Sequence, residues 1–381
     1  MRISSTRRGF LGGVIIAPAL MGFSNSTDAE GGMGAVDRRG PSRGAARDGR
    51  YLGAAVRIDQ IEAEPRLAEA VLRDCASLTP EIDMKWDALQ PGPGEWRTGP
   101  ADGLVAFARQ HGLAVRGHTL LWDQSTPAWV RARLERDPGD WSLVADYFKT
   151  VLGRYGAFVD EWDVVNEPID TGVRDNLRAT VFRKAYGPDY VARALHEARA
   201  HAPHARLVVN DYGFDYDNPV ENARRAAFLR LLEDLKARGA PLDGVGVQAH
   251  LDLGKGPLKR ELLAPFFSRI ADLGLGIAIT ELDVKEHDLR GDVAERDRRV
   301  ADHVQAYLDI ALEQASVTGV TTWGLSDRHS WLQKQPVRPT ASPAGLNRGL
   351  PYDGALTPKP VYWTIQQAML DAKASPMLTN R

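Results

Sequence analysis

The chain has 381 residues, 43% hydrophobic and 26% charged, a composition that can bury a substantial core. Its formal net charge of -2 excludes the electrostatic footprint of a nucleic-acid or anionic-membrane binder. Cys75 is the single cysteine, so an intramolecular disulfide is excluded, and its apolar helical setting predicts a buried structural thiol.

The amino terminus differs from the rest. Arg7-Arg8-Gly9-Phe10-Leu11 precedes a short apolar run ending near Phe23, the layout of an export signal rather than a membrane span. The arginine pair resembles a twin-arginine signal, which predicts a bacterial protein exported to the periplasm or beyond, with cleavage near Asp28-Ala29. Residues 1–29 are therefore assigned to the signal and 30–50, rich in Gly, Arg and Ser, to a disordered linker. Residues 51–375 form the expected catalytic domain.

From Tyr51 onward short apolar strands alternate with longer amphipathic patterns. Strands are predicted over Tyr51–Val56, Leu78–Met84, Leu113–Leu121, Glu161–Asn166, Arg206–Asp211, Asp243–His250, Leu275–Thr280 and Gly319–Leu325. Helices are predicted over Pro65–Ala76, Ala101–His111, Trp141–Phe158, Leu177–His201, Asn222–Arg238, Leu258–Leu273, Val293–Ala315 and Pro360–Ala372. Serial strand–helix units without hairpins predict an α/β fold, a TIM (β/α)8 barrel in one catalytic domain. A doubly wound open sheet is the alternative, but no Gly-rich phosphate loop follows the first strand.

A barrel gathers its functional side chains at the C-terminal ends of strands. Glu81 and Lys85, His118 and Trp122, Asn166 and Glu167, Asp211 and Tyr212, Gln248 and His250, Glu281, and Trp323 all end or follow predicted strands. Two strand-terminal glutamates, Glu167 and Glu281, are the minimum for glycosidic cleavage by an acid and a nucleophile. The HExxH and EF-hand patterns, a Cys/His cluster and a Gly-x-Ser-x-Gly elbow are missing from the sequence, so no metal, cofactor or ester-hydrolase site is predicted.

The motifs Met84-Lys85-Trp86, Arg116-Gly117-His118-Thr119, Trp162-Asp163-Val164-Val165-Asn166-Glu167, Asn210-Asp211-Tyr212, Gly246-Val247-Gln248-Ala249-His250, Ile279-Thr280-Glu281-Leu282-Asp283 and Trp323-Gly324-Leu325-Ser326-Asp327 occur in series. Together they resemble glycoside hydrolase family 10, the retaining endo-β-1,4-xylanases. That resemblance implies Glu167 as acid/base, Glu281 as nucleophile, His250 as its hydrogen-bond partner and Asn166 on the sugar 2-hydroxyl. It also implies substrate contacts from Glu81, Lys85, His118, Trp122, Tyr212, Gln248, Trp323 and Trp331, with xylan or xylo-oligosaccharide as substrate. Chemistry asks the same of the glutamates: two carboxyl groups about 5–5.5 Å apart, one protonated and one ionised. A cellulose or mixed-linkage β-glucan hydrolase and a non-catalytic carbohydrate-binding barrel are the alternatives; a monomer is expected.

Departures from the family pattern are Ile82 in place of an amide, Asp123 in place of a histidine, and a long Arg328–Gly349 loop. Asp123 is expected to add a carboxyl group near the acid/base, and the loop to cover part of the cleft or read a charged decoration. Trp86, Trp129, Trp141 and Trp363 are assigned to core packing. His196, His201 and His204, and the run Glu295–Arg299, are assigned to solvated helix faces.

Overall fold

The β-branched and apolar runs fold into one sheet in a computed structural model that describes residues 50–286, 291–334 and 347–372. Its strands are β1 (Tyr51–Val56), β2 (Ser77–Pro80), β3 (Ala114–Gly117), β4 (Glu161–Asn166), β5 (Arg206–Asp211), β6 (Gly244–Val247), β7 (His250–Asp252), β8 (Gly276–Lys285) and β9 (Val317–Thr322). The order is β6-β5-β4-β3-β2-β1-β9-β8, every neighbour parallel, and β8 pairs with β6 to close an eight-strand ring. Parallel neighbours need long crossovers, and the helices between strands supply them. The three-residue β7 pairs with the far half of β8 and sets His250 opposite Asp283.

The strands are buried along most of their length because helices cover the outside while side chains fill the inside. Part of that filling is ionic. Arg116 on β3 donates to Glu161 at 2.9 Å and grips Asp163, both on β4. A buried charge pair is retained when its hydrogen bonds are complete, and this one also holds His118.

Helix starts follow local chemistry. Pro219 opens the Pro219–Ala237 helix at its first turn, and the Asn218 side chain accepts from the Glu221 N–H at 2.9 Å. The single helix expected over Leu177–His201 is two, Val181–Tyr186 and Tyr190–His201. Gly187 (φ 81°) and Pro188 break it, the first by its left-handed backbone, the second by lacking an N–H.

Four other assignments are corrected. β8 runs to Lys285, so Glu281 lies within the strand rather than at its end. Trp363 is 62% exposed instead of packed in the core. Arg296 and Asp297 are buried, not solvated: Arg296 pairs with Glu286 through two 2.7 Å bonds, and Asp297 accepts from Arg348. The strand expected over Leu78–Met84 stops at Pro80, and a short helix, Trp86–Leu89, follows. Cys75 is buried as expected. The export segment, nearly all of the linker, residues 335–346 of the long loop and residues 373–375 lie outside the described residues. Arg50 is buried and donates to the carbonyls of Val317 (2.8 Å) and Gln314 (3.0 Å).

Candidate active site

The C-terminal ends of β4, β5 and β6 and the middle of β8 converge on one polar cluster. Register explains it: Asn166 is level with Asn210 across β4 and β5, and Asn210 with Gly246 across β5 and β6. Gly246 has to lack a side chain, since a Cβ there would sit 2.0 Å from Asn210 Oδ1. The Asn210 amide donates to Asn166 Oδ1 at 2.8 Å and to Glu281 Oε1 at 2.7 Å, while its own carbonyl oxygen accepts from the Thr280 hydroxyl at 2.7 Å. Asn166 in turn lies 3.4 Å from Glu167 Oε1, and Gln248 reaches Asn166 Oδ1 (3.3 Å) and Glu167 Oε1 (3.5 Å). The two glutamates are thus ends of one chain of amides.

Glu281 is 4% exposed. Burial alone would raise its carboxyl, but the hydrogen bond from His250, the fields of His118 and His250, and the Asn210 amide outweigh it and lower it to about 2. His250 donates from Nε2 to Glu281 Oε2 at 3.2 Å and from Nδ1 to Asp283 Oδ1 at 2.8 Å. Burial acts to discharge this imidazole, yet Asp283 and Glu281 raise it well above the ordinary histidine value, which favours the cation with both nitrogens donating. The Trp331 indole N–H donates to Asp283 Oδ2 at 2.6 Å. Glu281 and Asp283 are two apart on one strand and so share a face, which lets one imidazole bridge them.

Glu167 sits just past β4 with φ 56°, and Ala249 just past β6 with φ 58°. Non-glycine residues in this region cost about 1–3 kcal/mol each and persist where surroundings hold them. For Glu167 the holders are explicit: its N–H donates to the Asn210 carbonyl at 2.8 Å, and its own carbonyl accepts from Arg178 Nε at 2.9 Å.

The Lys85 ammonium lies 4.7 Å from the Trp122 ring and 5.8 Å from the Trp323 ring. Burial lowers the Lys85 ammonium against the pull of Glu281 and Glu81, and burial raises the Glu81 carboxyl against Lys85. His118 is buried, its Nδ1 2.8 Å from Asp163 and its ring edge-on to Trp323 at 5.1 Å. The buried Trp122 Nε1 has no hydrogen-bond partner among the described residues. The Tyr212 hydroxyl accepts from Arg178 at 3.1 Å and its ring lies 4.2 Å under Arg224.

Among the residues expected at the site, Asn166, Glu167, Gln248, Glu281 and His250 are joined through Asn210 in one hydrogen-bonded cluster. Lys85, His118, Trp122 and Trp323 contact one another, Glu81 acts on Lys85 through its charge, and Tyr212 is bonded to Arg178. Trp331 differs in kind, because its indole N–H is spent on Asp283 (2.6 Å) while its ring lies 5.2 Å from that of His250. The Asp123 carboxylate has partners of its own: its Oδ1 accepts from the Val181 N–H at 2.9 Å and from Arg131 at 3.2 Å, so it serves a helix start. Ile82 is 37% exposed and contributes no donor. Asn210, Asp163, Asp283 and Arg178 were missed. The first three stand inside the quoted motifs, and for Asn210 the opposing Gly246 is the available signal; Arg178 carried none.

The family model of glycosyl hydrolase family 10 matches residues 42–368. The chain is 31% identical over 302 residues to endo-1,4-beta-xylanase B of Thermotoga neapolitana, covering 79% of this chain and 82% of the relative. It is 33% identical over 297 residues to a beta-1,4-xylanase of Dictyoglomus thermophilum, covering 76% and 80%. Among solved structures, xylanase 10B from Thermotoga petrophila in complex with xylobiose superposes with a TM-score of 0.75 at 30% identity, covering 84% of this chain and 94% of that one.

Proposed function

The chain belongs to glycosyl hydrolase family 10 and is a retaining endo-1,4-β-xylanase; on that premise we propose that Glu167 is its acid/base and Glu281 its nucleophile. The observation that carries this assignment is the Asn210 amide, which joins Glu281 directly and Glu167 through Asn166.

In the first step Glu281 attacks the anomeric carbon while Glu167 gives its proton to the departing oxygen. The bond to the leaving sugar breaks and a glycosyl ester forms on Glu281. In the second step Glu167, now a carboxylate, takes a proton from water, whose oxygen displaces the ester and restores the original configuration. Glu281 suits attack because it is ionised from about pH 2 upward. His250, fixed by Asp283, aims it, and Asp283 is fixed by Trp331. Asn166 and Gln248 offer amide donors to the sugar 2-hydroxyl side, where contacts tighten as positive charge grows on the ring. Lys85, Glu81 and His118 hold hydroxyls of the non-leaving sugars, with Trp122 and Trp323 as apolar walls that match sugar CH faces. Tyr212 covers the leaving sugar.

Glu281→Ala abolishes release of reducing sugar from xylan. Glu167→Ala loses about 10²–10⁴-fold on xylan but spares an aryl β-xylobioside with an activated leaving group, and azide restores turnover. Absence of azide rescue sinks the assignment of Glu167. Carboxymethylcellulose, offered beside xylan, is turned over far more slowly. The same reading takes residues 1–29 as an export signal, supported by the arginine pair and the short apolar run, so the processed protein acts outside the cytoplasm.

A further inference from the structure

We propose that Arg178 is a positioning residue for the acid step, presenting positive charge to the Glu167 oxygen on which negative charge appears as the leaving group is protonated. This rests on the assignment of Glu167 as acid/base.

The geometry divides the two oxygens of Glu167. Oε1 faces the amides of Asn166 (3.4 Å) and Gln248 (3.5 Å), while Oε2 lies 3.9 Å from Arg178 Nη2. Arg178 is the cation within ion-pair distance of Oε2 among the described residues. Its place is fixed by neutral partners: Nε donates to the Glu167 carbonyl at 2.9 Å, and Nη2 to the Ile169 carbonyl (3.3 Å) and the Tyr212 hydroxyl (3.1 Å). Its backbone N–H bonds the Pro168 carbonyl at 2.7 Å. These bonds brace the segment that keeps Glu167 in its left-handed conformation. Among the described residues no carboxylate is hydrogen-bonded to Arg178; the acidic fields on it are those of Glu167 and Asp211, and Glu167 Oε2 stands at a distance too long for a hydrogen bond but short for a field.

That arrangement discriminates between states. With the proton on Glu167, Arg178 faces a neutral acid. As the proton moves to the departing oxygen, a carboxylate grows 3.9 Å from a fixed cation, and the attraction rises with it. The same field works against the second step, in which Glu167 must take a proton from water. Arg178 therefore speeds formation of the glycosyl ester when the leaving group needs protonation, and does not speed ester hydrolysis.

The test compares Arg178→Gln and Arg178→Lys on two aryl β-xylobiosides, one with a phenol leaving group and one with 2,4-dinitrophenol. Arg178→Gln is expected to lower kcat/KM on the phenyl substrate by about tenfold, the scale of one charge pair at this distance between water and protein surface. On the dinitrophenyl substrate, which needs no proton, kcat changes by less than about threefold. Arg178→Lys, which keeps the charge and loses the paired carbonyl bonds, recovers most of the phenyl activity. If the Gln variant does not fold, the Lys variant decides alone: it keeps the wild-type ratio between the two substrates. Equal losses on both substrates, without recovery by lysine, overturn the proposal and leave Arg178 as a loop brace. Glu167→Ala with azide, run alongside, separates the premises: rescue there with equal losses here removes only the role of Arg178, and no rescue removes both.

Discussion

Asn210 shows how a single amide sets the chemistry of two carboxyl groups. It has two N–H donors and spends one on Glu281 and one on Asn166, while Thr280 fills its carbonyl. With both donors committed it cannot rotate, and Glu281 gains a partner that favours its ionised form. Asn210→Ala is expected to lower kcat/KM by about a hundredfold, the scale of losing one aligned donor in an active site. It also moves the acidic limb of the rate profile. Glu281 attacks only when ionised, and in the intact site that holds above about pH 2. Removing the Asn210 donor lets burial raise the carboxyl toward its ordinary value, so activity is lost at higher pH on acidification. A kcat/KM profile from pH 3 upward reads this; an unmoved limb would show that His250 and His118 govern Glu281 without the Asn210 donor.

At the scale of elements, the loop after β5 carries a carboxyl group that the reaction does not use. Asp215 is buried, its Oδ1 has no hydrogen-bond partner among the described residues, and its backbone N–H is turned to Glu221 at 2.8 Å. Burial, then the nearby Glu221, raise it to about 7. An acid raised on folding binds a proton that the unfolded chain has already released between its ordinary value and about pH 7, so stability falls as pH rises through that window. Asp215→Asn is expected to leave the melting temperature unchanged near pH 4 and to raise it by several degrees at pH 8. A scan at both values checks this, and equal shifts at the two would contradict it. The sequence made β4 and β5 legible to the residue because a β-branched run next to a polar stop reads the same in any context. It did not reveal that β8 continues past Glu281, since β7 and β9 pair with its far half. Nor did it reveal Arg296 and Asp297 as buried, because Glu286 and Arg348, which neutralise them, stand 10 and 51 residues away. The partners of Asp123, a helix start and an arginine, were invisible to a motif for the same reason.

For the whole molecule, alternation of strands and helices was legible because it is a local pattern repeated along the chain, whereas closure depends on pairs far apart in sequence. β1 pairs with β2 on one side and β9 on the other, so the ring shuts only when the first and last strands meet. Arg50 ties that seam from the start of the folded part, reaching the carbonyls of Val317 and Gln314. Two truncations follow from this. A chain begun at Arg50 keeps every described contact of the ring and is expected to melt at the same temperature and turn over xylan at the same rate as one begun at Ala29. A chain begun at Asp59 lacks β1, leaving β2 and β9 with unpaired edges and the interior open to water. It is expected to be recovered as aggregate without xylanase activity. The comparison locates the catalytic unit: if the chain begun at Arg50 lost activity, residues 29–49 would have to supply part of the cleft, and the two proposed glutamates with their amide chain would not suffice.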